Sequence, residues 1–266
     1  MRRNYSLTRR HLVTGLLPAL AIGVAINRSG QAQPASSVTV FAASSLTNAF
    51  NEIGPAFRRA HPALQLRFNY GASSALRSQI QLGSPADVFA SADKEQMEPL
   101  RKAGLVSPPT IFARNRLTMV VPKENPAKLQ TPRDLARPGL RLVATASSVP
   151  IGRYTQDALA KLGLEPGYPA DFSAKVNRNV VSREPNVRAV LAKVELGEAD
   201  AALVYETDAR GSARVRAIAI PEKANVVAEY PIAVLTASGN KSGAEAFVQF
   251  LRSHTGRSIL KRHGFR

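Results

Sequence analysis

Val38-Thr-Val-Phe-Ala-Ala-Ser-Ser-Leu-Thr-Asn48 decides the fold of this chain. Val38 to Phe41 are β-branched or aromatic, which predicts a short buried strand. Leu46, Ala49, Phe50, Ile53 and Phe57 then recur at helical spacing, so a helix starts where the strand stops. Ser44 and Ser45 fall between the two, where the first helical turn leaves backbone N–H groups without partners. Read alone, hydroxyls at that point are helix caps. They can also join the free N–H groups in holding an anion, because the helix dipole favours negative charge there.

The same arrangement recurs downstream. Leu64 to Tyr70 alternates as a strand, runs into Gly71-Ala-Ser-Ser74, and continues as a helix through Leu76 and Ile80. Asp87 to Ala90 is a third strand, with a helix carrying Met97 and Leu100 after it. This β-α-β-α-β-α series implies a parallel sheet with helical crossovers. Pro108-Pro109 suggests a boundary before an apolar strand over 117–121. Further strands are expected over 140–144, near 174–181, and over 201–205, 215–220 and 230–236. Helices are expected over 131–136, from Pro150 through Leu162, from Val187 through Val194, and twice near the end, over 243–251 and 256–263. Pro150 suits a first helical position and leaves the N–H of Ile151 near the helix start, while Asn186 is placed to cap the helix beginning at Val187. Four helix starts, near Ser45, Ser73, Ile151 and Val187, thus follow strands. In open α/β sheets the ligand lies beyond the carboxyl ends of the strands, so an anion site built from several helix N-termini is natural.

Composition limits the chemistry. The 266 residues suffice for one large domain or two ordinary ones, and 44% hydrophobic against 6% aromatic residues describe an aliphatic α/β core. Cysteine is absent, which removes disulfides and thiolate chemistry, and the four histidines lack metal-ligand spacing. Residues 1–32 read as an export signal: Arg2, Arg3, Arg9 and Arg10 precede an apolar run from Leu12 to Ile26, and Gly30-Gln-Ala32 offers a cleavage site. Thr8 to Val13 resembles the twin-arginine signal. Removing the five arginines of that segment takes the formal charge from +17 to +12. The basic residues are scattered without interleaved aromatics, which describes a solvated basic surface and argues against nucleic acid as a partner.

The chain resembles the periplasmic molybdate-binding proteins of ABC transporters from about Val38 to Phe265. The resemblance is carried by V-F-A-A-S-S-L-T at Val40 to Thr47, P-A-D-V-F-A-S-A-D at Pro85 to Asp93, and V-P-I-G-R-Y at Val149 to Tyr154. A-L-V-Y with Asp208 after it, E-Y-P-I-A-V from Glu229, and K-R-H-G-F from Lys261 add to it. It implies an α/β, two-lobed type II periplasmic-binding-protein fold, each lobe a mainly parallel sheet flanked by helices, joined by a hinge. Lobe 1 would comprise 37–114 plus 230–266 and lobe 2 115–229. The function implied is capture of molybdate or tungstate between the lobes and delivery to the membrane permease of an ABC importer, by a periplasmic monomer that is not an enzyme.

Carried over by motif position, Ser45 and Ser73 would donate from hydroxyl and backbone, Ile151 and Val187 from backbone N–H, and Tyr205 from its phenol. Ser44 stands behind them. Ile151 occupies a position where the family's smaller alanine is expected, which narrows the pocket wall. No cofactor and no protein-ligated cation are expected, since the metal arrives inside the oxyanion. Neutral donors in a closed cleft replace the hydration of a dianion. Hydrogen phosphate would lack an acceptor for its proton, and sulfate is smaller than molybdate.

Two rival readings are specific enough to check. A binding protein for sulfate or another oxyanion would use the same donors. A serine acyl-transferring enzyme would use Ser91-Ala-Asp-Lys94 as S-x-x-K, with Ser238-Gly-Asn240 and Lys241-Ser-Gly243 imitating the accompanying motifs. In such enzymes the last two lie on separate elements, whereas here they abut.

Overall fold

The computed structural model describes residues 36–266, so the export signal lies outside the described residues. The chain opens with β1 (Ser36–Ala43), a 3-10 turn (Ser44–Leu46) and α1 (Thr47–Ala60). β2 (Leu64–Gly71), α2 (Ser73–Gln81), β3 (Val88–Ala90) and α3 (Lys94–Lys102) complete the opening β-α-β-α-β-α series. β1 pairs in parallel with both β2 and β3, as crossovers through helices allow. Val38, Val40, Leu46, Phe50, Ile53 and Phe57 are all buried to within 1% of zero exposure, so the strand and helix periods share one core. Phe50 and Phe57 meet Phe247 edge to face, which seats α1 against the last third of the chain.

β4 (Thr110–Pro122) is longer than the apolar run over 117–121, and its length is what joins the molecule. From Thr110 to Arg116 it pairs antiparallel with β9 (Val227–Val234), and from Leu117 onward with β7 (Ala202–Tyr205) and β8 (Val215–Ala219). Arg114 and Arg116 hid the first half of this strand; their guanidiniums reach out to Glu229 and Glu222 while Ala113 and Asn115 point inward. The strand order is β2-β1-β3-β9-β4-β7, with β8 also on β4. Parallel pairing at one end thus gives way to antiparallel pairing through β9 and β4.

A second, two-stranded parallel sheet holds β5 (Leu142–Thr145) and β6 (Val180–Glu184), and a bridge between Leu142 and Ala201 ties it to the start of β7. Between them run α4 (Pro150–Leu162) and α5 (Phe172–Arg178). The strand expected near 174–181 is therefore a helix followed by a strand. Phe172 and Val176, four apart, are both buried and set the helical period, and only from Val180 does the chain extend. α6 (Val187–Glu195) follows, α7 (Glu206–Arg210) continues directly from β7, and α8 (Lys241–Arg252) and α9 (His254–Arg262) close the chain. No helix among the described residues is long and apolar enough to cross a membrane.

Candidate functional site

The carboxyl ends of β1 and β2, the segment after β3, the N-termini of α4 and α6, and the end of β7 converge on one small cavity. Its walls come from Ser44, Ser45, Ser73, Ile151, Val187 and Tyr205, with Ala92 and Pro150 between them. Every position that the resemblance nominated as a donor lines this one cavity.

Neither serine is a cap. The 3-10 turn, α1 and α2 each begin without a side-chain capping bond, so the hydroxyls of Ser45 and Ser73 are not spent on helix ends. Ser73 Oγ instead accepts the N–H of Ala92 at 3.0 Å, which leaves the hydroxyl proton to be donated elsewhere. Ser45 Oγ lies 2.9 Å from the hydroxyl of Tyr230. Ser44 also lines the cavity, while its carbonyl accepts from Thr47 Oγ1 at 2.7 Å and from Arg188 Nε at 3.4 Å.

The two helix starts present their N–H groups by different means. In α6, Asn186 Oδ1 accepts from Arg188 and Ala189, fulfilling the expected cap, while Val187, whose N–H opens the helix, lines the cavity. In α4, Pro150 occupies the first position, and Ile151 follows in the turn where no intrahelical carbonyl is in reach. Gly152 lets this helix start lie directly on the chain beyond β5. A Cβ there would come within 2.1 Å of the Ala146 carbonyl and 2.5 Å of Thr145 Oγ1.

Tyr205 is 1% exposed, and its hydroxyl has no hydrogen-bond partner. This buried phenol on the cavity wall is thus a donor without a partner inside the protein. Burial pushes its pKa well above the ordinary value, so the group is a neutral O–H donor at any physiological pH.

Two carboxylates are buried nearby, and each has an arginine. Asp93 caps α3 through the N–H of Gln96 at 2.9 Å and faces Arg153 at 3.3 Å. Asp208 lies 3.1 Å from Arg188 Nε, although neither of its oxygens receives a well-aligned hydrogen bond. Burial raises both, Asp208 to about 6. Arg153 also reaches Glu95 at 2.7 Å, Gln96 Nε2 donates to the Ser148 carbonyl at 3.2 Å, and Tyr154 OH donates to the Ala92 carbonyl at 3.4 Å. Four contacts thereby tie the start of α4 to the start of α3.

The acyl-transfer constellation does not assemble. Ser91 is fully buried with its Oγ accepting the N–H of Asp93, while Lys94 points away to an ion pair with Glu229. Ser238 donates to Asp87 Oδ1 at 2.6 Å and Asn240 caps α8. Among the described residues no cluster of His, Cys, Asp and Glu could hold a metal ion.

Sequence reasoning missed Tyr230 and Asn115. Tyr230 OH also accepts from Asn115 Nδ2 at 3.4 Å, and Asn115 Nδ2 donates to Thr207 Oγ1 at 2.8 Å. Tyr230 lay inside a quoted motif, but its partner Ser45 is 185 residues away and no local pattern links them.

A model of the bacterial extracellular solute-binding protein family matches residues 38–266. The molybdate-binding protein ModA of Mycobacterium tuberculosis is 40% identical over 256 residues, covering 96% of this chain and 94% of that relative. ModA of Escherichia coli is 34% identical over 237 residues, 86% of this chain and 88% of its own. Among solved structures, the periplasmic molybdate-binding protein of Azotobacter vinelandii superposes with a TM-score of 0.75 over 86% of this chain and 98% of that one, at 21% identity.

Proposed function

The chain belongs to the bacterial extracellular solute-binding proteins, and from that premise we propose that it captures molybdate or tungstate and delivers the anion to the permease of an ABC importer. The observation that carries this reading is the cavity itself. Four hydroxyls, those of Ser44, Ser45, Ser73 and Tyr205, line it together with Ile151 and Val187 at two helix starts, one hydroxyl is an orphan, and no carboxylate is among the lining residues. Such a site offers hydrogen to an anion from every side. Ser45, Ser73 and Tyr205 act from side chains and Ile151 and Val187 from the backbone. The resemblance to proteins named for molybdate supplies the identity of the anion.

In this reading the lobes are 37–114 with 230–266, and 115–229. The change of β4's partners from β9 to β7 and β8 at Arg116 and Leu117 supports a hinge there. The side chains that link α4 to α3, together with Arg188 on the Ser44 carbonyl, then hold the lobes closed. The protein works outside the cytoplasm as a monomer, exported by residues 1–32 along the twin-arginine route, and binds without catalysis. A thermal-shift panel of oxyanions on the mature protein tests this: molybdate and tungstate are expected to raise the melting temperature far more than sulfate or phosphate. A larger shift with sulfate assigns the site to sulfate instead.

A further inference from the structure

Resting on that reading, we infer that Asn115 and Tyr230 are positioning residues that fix the direction of the Ser45 hydroxyl, making it a donor toward the anion through the chain Asn115→Tyr230→Ser45. The starting point is the Asn115 amide. Its Oδ1 accepts the N–H of Arg116 at 2.9 Å, which settles which end of the amide faces inward. Nδ2 therefore faces Thr207 Oγ1 at 2.8 Å and Tyr230 OH at 3.4 Å. An amide NH₂ has hydrogens to give and no lone pair to receive. Whatever the strength of the longer contact, Tyr230 cannot donate in that direction.

The phenolic proton then has one other recorded partner, Ser45 Oγ at 2.9 Å. Both hydroxyls are buried, so no bulk water offers an alternative. Tyr230 stays protonated because burial pushes its pKa far above the ordinary value. With a lone pair of Ser45 Oγ occupied by Tyr230, the serine's own proton is left for the cavity that the residue lines. Ser73 reaches the same state by a shorter route, through the Ala92 N–H. A hydroxyl free to rotate would present either a proton or a lone pair to an anion. One that accepts from behind keeps its proton free to point at the anion, and pre-orientation of this kind favours binding by reducing the ordering that binding requires.

The test is a double-mutant cycle read by calorimetry with molybdate, using Ser45→Ala, Tyr230→Phe and the pair. Tyr230→Phe keeps the ring and its edge-to-face contacts with Phe265, Phe112 and Tyr205. It is expected to weaken binding about three- to tenfold, the worth of one buried hydrogen bond. In the Ser45→Ala background the same change is expected to do nothing further, because the hydroxyl it orients is gone. If Tyr230→Phe weakens binding by the same factor in both backgrounds, or leaves it unchanged in the wild type, the relay is wrong while the binding function stands.

A second cycle guards against a folding effect. Asn115→Asp supplies an acceptor, which reverses the chain and turns a Ser45 lone pair to the cavity. Ser45→Ala should then no longer weaken binding, and an undiminished loss overturns the inference. A wild-type protein that binds no molybdate at all overturns both the function and the relay.

Discussion

Tyr205 and Tyr230 stand edge to face with ring centroids 5.9 Å apart, yet only Tyr230 has a partner for its hydroxyl. Two buried phenols side by side therefore carry different duties. Tyr230 is satisfied inside the protein and works on Ser45. Tyr205, on the cavity wall, has no partner for its hydroxyl inside the protein.

Removing the Tyr205 hydroxyl should accordingly cost affinity and little stability. Hydrogen bonds to a charged group are worth roughly 1.5–3 kcal/mol, so Tyr205→Phe is expected to weaken molybdate about ten- to a hundredfold. Because the phenol has no partner in the unliganded protein, the variant should melt at or above the wild-type temperature. A lower melting temperature with unchanged affinity would make Tyr205 a core residue only.

Ser73→Ala should behave similarly in binding and differently from a lost cap. α2 has no side-chain cap to lose, although the Ala92 N–H is orphaned by the change. A loss of ten- to a hundredfold in affinity beside a modest fall in stability is expected. Ile151→Ala and Val187→Ala keep the N–H and should weaken binding far less. Titration of all three side by side makes the comparison.

Gly152→Ala places a methyl group against the Ala146 carbonyl, a contact between backbone atoms and a fixed Cβ that no rotamer relieves. The start of α4 must move away, carrying the N–H of Ile151 with it. A stability loss of about 1–3 kcal/mol should accompany weaker binding, measured by denaturant melts and calorimetry. Normal affinity in this variant would remove Ile151 from the site.

Arg153→Ala leaves Asp93 buried without its cation and removes two of the four contacts between the starts of α4 and α3. Since Arg153 is partly exposed, the effect belongs at the low end for a broken buried pair, roughly tenfold on affinity, and it should fall on the dissociation rate. Glu95→Gln, at a solvent-exposed partner, should change little. Stopped-flow release of tungstate distinguishes the two variants.

Asp208 gives a pH signature. Burial raises its pKa from 3.8 to about 6, so between those values the folded protein holds a proton that the unfolded chain has released. The contribution of this group is therefore greatest below about pH 4 and is lost as pH rises through 6. Wild type should gain stability relative to Asp208→Asn, by about 1–3 kcal/mol, as pH falls from 7 to 4. A constant difference across that range would mean that Asp208 is ionised throughout.

Much of the site was legible because helix starts after strands are local patterns. Ser45, Ser73, Ile151, Val187 and the Asn186 cap all follow from residues within a few positions of one another. What escaped was set by pairing at a distance. The first half of β4 is stabilised by β9 more than 100 residues later and alternates arginines that conceal its strand character. Phe172 to Arg178 carries too few apolar residues to declare its period, and the α5 helix depends on burial of Phe172 and Val176. Tyr230 and Asn115 meet Ser45 and Thr207 only once the sheet is formed.

The most direct measurement is calorimetric titration of the mature wild-type protein with molybdate, tungstate, sulfate and phosphate at neutral pH. A cavity lined by hydroxyls and helix starts and by no carboxylate should bind molybdate and tungstate stoichiometrically and at least a hundredfold more tightly than sulfate, with phosphate weakest; the factor of a hundred corresponds to about 2.7 kcal/mol. Sulfate binding as tight as molybdate, or phosphate competing with either, would contradict the account.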